Sequence, residues 1–216
     1  MHRAALLLAF LASPLLAYAH EGHTHASADG WYELFNGKDL TGWRVSENPD
    51  SFSVADGKIV VKGPRAHAFY VGDVGGADFK DFELKLEVLT KPNANSGVFF
   101  HTEYQEKGWP GKGYEVQVNQ THRDRIKTGS IYAVQNVMDE SAAKDDTWYT
   151  QHIIVRGKRV VVKVDGEVVN DFTEPDDVQP PADRPGRKLS RGTIALQGHD
   201  PGSEVHYRSV KIKPLD

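Results

Sequence analysis

From Trp31 onward, short runs of the sequence alternate between apolar and polar residues, and this period of two constrains the fold most strongly. In the segment "DFELKLEVLT", every second residue from Phe82 to Val88 is apolar and the residues between them are charged. Successive side chains of a β-strand point to opposite faces, so the pattern is typical of a strand with one buried and one solvated face. No apolar run with helical period and capping signals is long enough to predict a major helix.

Turn signals between these runs predict how the strands connect. Asp56-Gly57 separates two β-rich runs, and two further dipeptides, Gly157-Lys158 and Asp165-Gly166, divide "QHIIVRGKRVVVKVDGEVVNDF" into three. Such dipeptides favour tight hairpins, and many short strands between turn signals predict an all-β fold, an antiparallel β-sandwich or jelly roll with long loops. The long polar connections are Glu103–Gly113, Gln120–Gly129, Met138–Thr147 and the proline-rich Thr173–Arg191.

The amino terminus has the pattern of a secretory signal. Residues 1–19 combine a short positive end, an apolar stretch that is broken by Pro14 and too short for a comfortable membrane span, and a small-x-small cleavage signal that ends at Ala19. We therefore predict a signal peptide over 1–19, a flexible histidine-rich leader over 20–30 and a single β-sandwich domain over 31–216. The mature protein is expected to be secreted or periplasmic, without stable membrane insertion.

Composition limits the partners and cofactors. A formal net charge of −4 without a basic run does not suggest nucleic acid, and the absence of cysteine excludes disulfides and attachment through a lipid-modified cysteine. Nothing in the sequence requires a cofactor. The leader histidines His20, His23 and His25 are candidate ligands for copper, nickel or zinc, because imidazole suits these ions, but a flexible polar leader is the plainer interpretation.

Several predicted strands carry amide, carboxylate and imidazole groups opposite their apolar rows. If Val98 and Ile194 face the core, strand parity places the following side chains on the other face: His101, Glu115, Gln117, Gln197 and His199. On neighbouring strands these groups would line a groove suited to a sugar, with Trp109, Tyr104 and Tyr132 nearby to pack on its ring. The alternative is a solvated sheet face with incidental polar residues.

The last strand does not follow simple alternation. With Val210 and Ile212 buried, Arg208 would share the buried face, whereas Val205 and Tyr207 would not. Either a β-bulge near Tyr207 changes the phase of the strand, or Arg208 is buried beside a carboxylate. The sequence leaves both alternatives open.

Six segments, in order, carry a resemblance to a known family. They are "LFNGKDLTGW" (Leu34–Trp43), "NSGVFF" (Asn95–Phe100), "GYEVQV" (Gly113–Val118), "KTGSIY" (Lys127–Tyr132), "IALQGH" (Ile194–His199) and "VHYRSVKI" (Val205–Ile212). Over about 31–215 the chain resembles the 3-keto-disaccharide hydrolase family, which is similar in fold to concanavalin-type lectins and glucanases. It departs from that family at His101, where many members have arginine, and it lacks the E-x-D-x-E strand of laminarinase-like glucanases.

The resemblance implies an exported enzyme that cleaves 3-keto-glycosides or 3-keto-disaccharides by elimination and hydration. This chemistry needs a base, an acid and a cation or donor at the keto oxygen. The implied catalytic candidates are Glu115, His199, His101 and Arg208, and the implied substrate-binding candidates are Asn95, Gln117, Gln197, Lys127, Tyr132 and Trp109. Arg208 or Lys127 would stabilise the enolate, and a sugar oxidoreductase would be a partner that supplies the ketone.

Plainer interpretations remain for the same residues. Glu115 could form a structural ion pair with Arg208 or Lys127, His199 could only cap the loop "GHDPGS", and Gly97 could be present for backbone freedom. The whole groove could belong to a non-catalytic carbohydrate-binding module of the cell envelope. A third hypothesis is an envelope interaction protein with a metal-binding leader.

Overall fold

The computed structural model describes residues 26–215. The predicted signal peptide and His20, His23 and His25 lie outside these residues and stay predictions. The described part contains no α-helix and therefore no helix able to cross a membrane. Its thirteen strands are β1 Tyr32–Glu33, β2 Trp43–Val45, β3 Phe52–Ala55, β4 Lys58–Lys62, β5 Ala66–Tyr70, β6 Phe82–Thr90, β7 Ser96–Thr102, β8 Tyr114–Val118, β9 Tyr149–Arg156, β10 Arg159–Val164, β11 Glu167–Thr173, β12 Thr193–Gly198 and β13 Glu204–Pro214; Pro49–Ser51 and Val74–Ala77 are short 3-10 helices.

The strands form two antiparallel sheets, as the sequence predicts. The larger sheet has the order β11-β10-β9-β6-β13-β4-β3, with β1 added on β13, and the smaller has the order β2-β5-β12-β7-β8. Strand β6 alternates strictly, so that Phe82 and Val88 are fully buried between the sheets. The antiparallel β-sandwich is therefore confirmed.

The predicted hairpins form where left-handed backbone is available. Asp56 and Gly57 both have positive φ, at 49° and 73°, between β3 and β4. Asp165 and Gly166, at 49° and 91°, make the corresponding turn between β10 and β11. Aspartate and glycine tolerate this conformation, and paired positive φ values match the twist of the flanking strands.

A β-bulge in β13 decides between the alternatives for the last strand. Tyr207 pairs with Val88 and Ser209 pairs with Glu87, which leaves Arg208 as the additional residue. The additional residue shifts the alternation by one position, so Tyr207 before the bulge and Val210 and Ile212 after it are all buried in the core. Arg208 is exposed, and its Nε donates to Glu87 Oε2 at 2.7 Å.

The smaller sheet has a core face and an outer face of different character. Val98, Val116 and Leu196 are fully buried against the other sheet. Since successive side chains alternate, the residues between them point away from the core. This outer face carries the candidate site.

Candidate active site

The floor of the site is the outer face of β7, β8 and β12. Gly97 of β7 pairs with Gln117 of β8, and Leu196, which precedes Gln197, pairs with Val98. The floor and the surrounding loops enclose a pocket of about 280 Å³. Its lining residues are Asn95, Phe99, Trp109, Pro110, Gly113, Glu115, Gln117, Tyr132, Arg184, Arg187, Gln197 and His199.

Gly97 leaves the space in which the Glu115 side chain lies. A Cβ at position 97 would stand 2.1 Å from Glu115 Oε1 and 2.8 Å from its Cδ. Gly97 is not among the residues with positive φ, so the expectation that it supplies backbone freedom is wrong. Glycine is required at this position because the carboxyl of Glu115 occupies the space that a Cβ would fill.

The Glu115 carboxyl is held by an amide and is partly buried in the pocket. Gln197 Nε2 donates to Glu115 Oε1 at 2.7 Å. Burial raises the pKa of Glu115 to about 7, although the hydrogen bond from Gln197 and the charges of Arg187 and Arg184 act in the opposite direction. A carboxyl with this pKa can exchange a proton near neutral pH.

His199 lies beside a carboxylate that orients its ring. Its Nδ1 lies 2.7 Å from Asp200 Oδ2, which also accepts from Ser203 Oγ at 2.9 Å. Although burial opposes it, the hydrogen bonds from His199, Ser203 and Gly202 lower the pKa of Asp200. Asp200 is therefore ionised at neutral pH, and a Nδ1–H donated to it leaves His199 Nε2 for the pocket. His199 thus contacts its own loop, as the capping interpretation expects, and lines the pocket as well.

Two amides continue the floor toward His199. Gln117 Nε2 donates to Asn95 Oδ1 at 3.0 Å, and the Asn95 backbone N–H donates to Ser203 Oγ at 2.9 Å. His122 lies beside His199, with 5.9 Å between the two ring centroids. The Asp124 backbone N–H donates to His122 Nδ1 at 3.2 Å. These groups offer paired donors and acceptors to hydroxyl groups.

Trp109 forms one wall of the pocket. It is 42% exposed, and its ring lies 5.3 Å from that of His199 between centroids. Arg65 lies over the indole at 5.1 Å and pairs with Glu47, whose Oε1 also accepts from the Gly108 backbone at 3.2 Å. The ion pair between Arg65 and Glu47 therefore anchors the loop that carries Trp109.

The structure corrects the position of His101. Phe100 pairs with Ile194 and Thr102 pairs with Thr193, so His101 is the additional residue of a bulge, with φ of 55°. Its Nε2 lies 2.7 Å from Lys80 O, its Nδ1 accepts from Ser190 N at 3.1 Å, and burial lowers the pKa of the ring. The prediction that His101 belongs to the groove is wrong, because the bulge turns the ring away from the outer face.

Arg208 and Lys127 also lie away from the pocket. Arg208 is on the exposed face of the other sheet, where it covers Trp148 at 4.5 Å. Lys127 Nζ donates to the backbone oxygens of His122 and Asp124 at 2.8 and 2.7 Å, so it holds the loop that follows β8. Neither residue pairs with Glu115, and the predicted roles of both as enolate stabilisers are wrong for this reason.

Two arginines that strand alternation does not predict take the place of those cations. Arg184 and Arg187 come from the long proline-rich loop and line the pocket beside Glu115. The Gly113 N–H donates to Gly186 O at 2.9 Å, and Arg187 donates to Tyr132 O. Burial and the neighbouring Arg184 lower the pKa of Arg187. Only the folded loop brings these groups to the sheet.

Comparison with known proteins identifies the family. The sequence model of a protein family described as "3-keto-alpha-glucoside-1,2-lyase-like domain" matches residues 30–213. The chain belongs to this family. Membership confirms the predicted resemblance and the assignment to enzymes that act on glycosidic bonds.

Individual relatives agree with this family and with the fold. A 3-keto-disaccharide hydrolase of Bacteroides thetaiotaomicron is 26% identical and is matched over 88% of this chain and 80% of its own length. The crystal structure of a candidate glycosyl hydrolase from Parabacteroides distasonis has a TM-score of 0.73 at 25% identity, covering 88% of this chain and 95% of that one. A Bacillus licheniformis β-glucanase, at 13% identity, has a TM-score of 0.57 with coverages of 86% and 97%, and supports the concanavalin-like fold alone.

The described residues contain no evident metal centre. Within residues 26–215, no group of three or more histidine, cysteine, aspartate or glutamate side chains could hold a metal ion. The histidine-rich leader lies outside this range, so its predicted metal binding is untested.

Proposed function

We propose that this protein cleaves 3-keto-glycosides, including 3-keto-disaccharides, by elimination followed by hydration. The observation that carries the proposal is a carboxyl group with a pKa near 7, placed in one pocket between an imidazole–carboxylate pair and two arginines. Membership of the 3-keto-alpha-glucoside-1,2-lyase-like family and similarity to a protein named 3-keto-disaccharide hydrolase support the substrate class.

The chemistry follows from the ketone at C3. The ketone acidifies the hydrogen on C2, so a base can remove it as the electrons of the C–H bond form an enolate. The enolate then expels the aglycone oxygen from C1. This oxygen takes a proton from an acid, and the sugar that remains is an enone. Water adds to C1 and a proton returns to C2, so the net reaction consumes one water and releases a 3-keto sugar and the aglycone alcohol.

The order of groups along the sheet matches the order of reacting atoms. Strands β8 and β12 both run antiparallel to β7, so they run in the same direction. On one side of Glu115, Gly113 lies two residues earlier in β8 and is hydrogen-bonded to Gly186, the residue before Arg187. On the other side, His199 lies two residues beyond Gln197, the amide that binds Glu115. Two residues of a strand span about 7 Å. Glu115 therefore lies between a cation and an imidazole, as C2 lies between C3 and C1.

This order supports the roles that we propose. Glu115 is the base that removes the C2 proton, and its raised pKa makes it a stronger base than an ordinary carboxylate. His199 in its imidazolium form donates the proton to the leaving oxygen, with its ring oriented by Asp200. Arg187 stabilises the negative charge that develops on the C3 oxygen, which its fixed guanidinium can do without reorganisation.

The remaining residues position the sugar. The exposed face of Trp109 packs on a ring, and the amides of Gln117 and Asn95 bind hydroxyl groups. Tyr132, whose hydroxyl lies 3.2 Å from Asp124 Oδ2, forms part of the opposite wall.

The substrate chemistry also implies a supply reaction. The sugar hydroxyl at C3 must first be oxidised, so an oxidoreductase acting on glycosides is the partner that precedes this enzyme. The amino-terminal signal pattern supports our proposal that cleavage takes place after export.

The test is incubation of the protein with 3-keto-disaccharides and with the same disaccharides unoxidised, while free sugar is measured. We expect release only from the keto forms, and loss of release in Glu115→Gln. Cleavage of both forms at similar rates would overturn elimination. Binding without cleavage of either form would support the carbohydrate-binding module instead.

A further inference from the structure

His122 lies beside the proposed acid but takes no part in the proposed proton transfers. Its ring centroid is 5.9 Å from that of His199, and its Nδ1 lies 3.4 Å from Asn95 Nδ2. His199 and Asn95 both line the pocket, and His122 is half-buried next to them. The ring of His122 therefore borders the pocket at the end where His199 protonates the leaving oxygen.

Two buried side chains hold the loop that carries His122. Lys127 Nζ donates to the backbone oxygens of His122 and Asp124 at 2.8 and 2.7 Å. Asn119 Oδ1 accepts from the His122 backbone N–H at 3.0 Å, and Asn119 Nδ2 donates to the backbone oxygens of Asp124 and Ile126. Lys127 is 6% exposed and Asn119 is fully buried, so the loop is held from within. These contacts fix the backbone from which the imidazole of His122 projects.

The hydrogen bonds at Nδ1 decide which ring nitrogen of His122 carries the proton. Nδ1 accepts from the Asp124 backbone N–H at 3.2 Å and faces the Asn95 amide nitrogen, whose oxygen is occupied by Gln117 Nε2. Neutral His122 therefore carries its proton on Nε2, which has no hydrogen-bond partner in the part of the chain that the structure describes. Protonation of Nδ1 would direct a further N–H at these donors, and burial and the nearby His199 also lower the pKa of His122.

The pocket has room for about one sugar ring. Its volume of about 280 Å³ is below the roughly 300–1,000 Å³ that is usual for cavities enclosing a drug-sized ligand. The sugar that carries the ketone must reach Glu115 and Arg187, so it occupies this space. The second sugar of a disaccharide then lies beyond His199, beside His122 and the exposed ring of Trp109.

We propose that His122 is a specificity-determining residue that donates its Nε2–H to a hydroxyl oxygen of the departing sugar. Because this hydrogen bond transfers no proton, His122 favours sugar aglycones over aglycones without hydroxyl groups and leaves the chemical steps to the residues of the pocket. The inference rests on the proposed function, since His199 marks the position of the leaving oxygen only in that reaction.

The experiment compares two substrates that differ only in the leaving group. A 3-keto-disaccharide offers hydroxyl groups on its aglycone, whereas methyl 3-keto-glucoside offers none, although its leaving oxygen needs a proton too. His122→Phe keeps a ring without the donor, and His122→Gln restores an N–H near the position of Nε2. His206→Phe is the matched control, because it makes the same change beside Glu204 on the larger sheet.

In His122→Phe, kcat/KM for the disaccharide should fall about 3–10-fold, as expected for one neutral hydrogen bond, and kcat/KM for the methyl glycoside should stay within about twofold of wild type. This selective loss, recovered in His122→Gln and absent in the control, supports the proposal. Equal losses for the two substrates would mean that His122 acts on the leaving-group proton or on the fold, and would overturn it. An unchanged kcat/KM for the disaccharide would overturn it as well.

Binding measurements keep the proposal testable if His122→Phe does not fold. In the inactive Glu115→Gln protein, the ¹⁵N signal of His122 Nε2 should shift when the 3-keto-disaccharide is added but not when methyl 3-keto-glucoside is added; equal responses contradict the proposal. If the wild type cleaves neither keto substrate, the proposed function fails, and the same comparison with the unoxidised disaccharide and methyl glucoside tests His122 alone. A shift with the disaccharide only would then support contact with the second sugar, and no shift would refute it.

Discussion

Replacement of Gly97 by alanine tests whether the position of the Glu115 carboxyl determines activity. The new Cβ would stand 2.1 Å from Glu115 Oε1, whereas ordinary van der Waals contact begins at 3.4 Å. The carboxyl must therefore move by about 1.3 Å, which also breaks the 2.7 Å hydrogen bond from Gln197. Because a misplacement of about 1 Å can cost about 100-fold, we expect kcat/KM to fall about 100-fold.

The same substitution should leave the fold intact. Alanine in a strand interior is favoured over glycine by about 0.5–1 kcal/mol, and the three atoms nearest to the new methyl group all belong to the Glu115 side chain and none to the backbone. The thermal midpoint of Gly97→Ala should therefore equal or slightly exceed that of the wild type. Gly111→Ala is the matched control, because a Cβ there meets nothing within 4 Å and its φ is not left-handed. Wild-type kcat/KM in a folded Gly97→Ala protein would refute the placement of the base.

Other predictions concern the individual groups of the pocket. The acidic limb of the kcat/KM profile should follow ionisation of Glu115 with a pKa of about 7, and the alkaline limb should follow loss of the proton that the general acid donates; a profile that is flat from pH 5 to 8 would contradict the role of Glu115 as base. The raised pKa also means that the folded state loses stability as pH rises from about 4.5 to 7, so Glu115→Gln should increase the thermal midpoint relative to wild type at pH 8 more than at pH 4.5. Arg187→Gln should reduce kcat by about 10²–10³-fold, in contrast to Arg208→Gln on the other sheet, and equal effects would exclude the oxyanion role. Trp109→Ala should raise KM more than it lowers kcat in steady-state assays, since the ring packs on the sugar and does no proton transfer.

Strand parity predicted the floor of the site because a period of two fixes the face of every residue in a regular strand. Glu115, Gln117 and Gln197 follow from their apolar neighbours in this way. The same reasoning fails at His101, where a bulge adds one residue to the strand. A bulge depends on the register of the partner strand, and a single sequence does not contain that register.

Other members of the site depend on contacts between distant segments. Arg187 reaches the pocket because its loop makes a backbone hydrogen bond from Gly113 to Gly186, and local sequence does not encode such a pairing. His67 lies in "AHAFY", a run with small alanines on the core side that gives only a weak strand signal. Its position opposite Gln197 in the strand register follows from strand order, which alternation leaves undetermined.

Loss of a C2 label tests most directly whether this protein breaks a carbon–hydrogen bond. A 3-keto-disaccharide carrying deuterium at C2 is incubated with the enzyme, and the mass of the released 3-keto sugar is compared with that of substrate held with Glu115→Gln for the same time. Elimination and hydration predict that the released sugar has exchanged its deuterium for a solvent proton while the control retains it. Released sugar that keeps its deuterium and forms at the same rate as from unlabelled substrate would mean direct displacement at C1, and Glu115 would not be the carbon base.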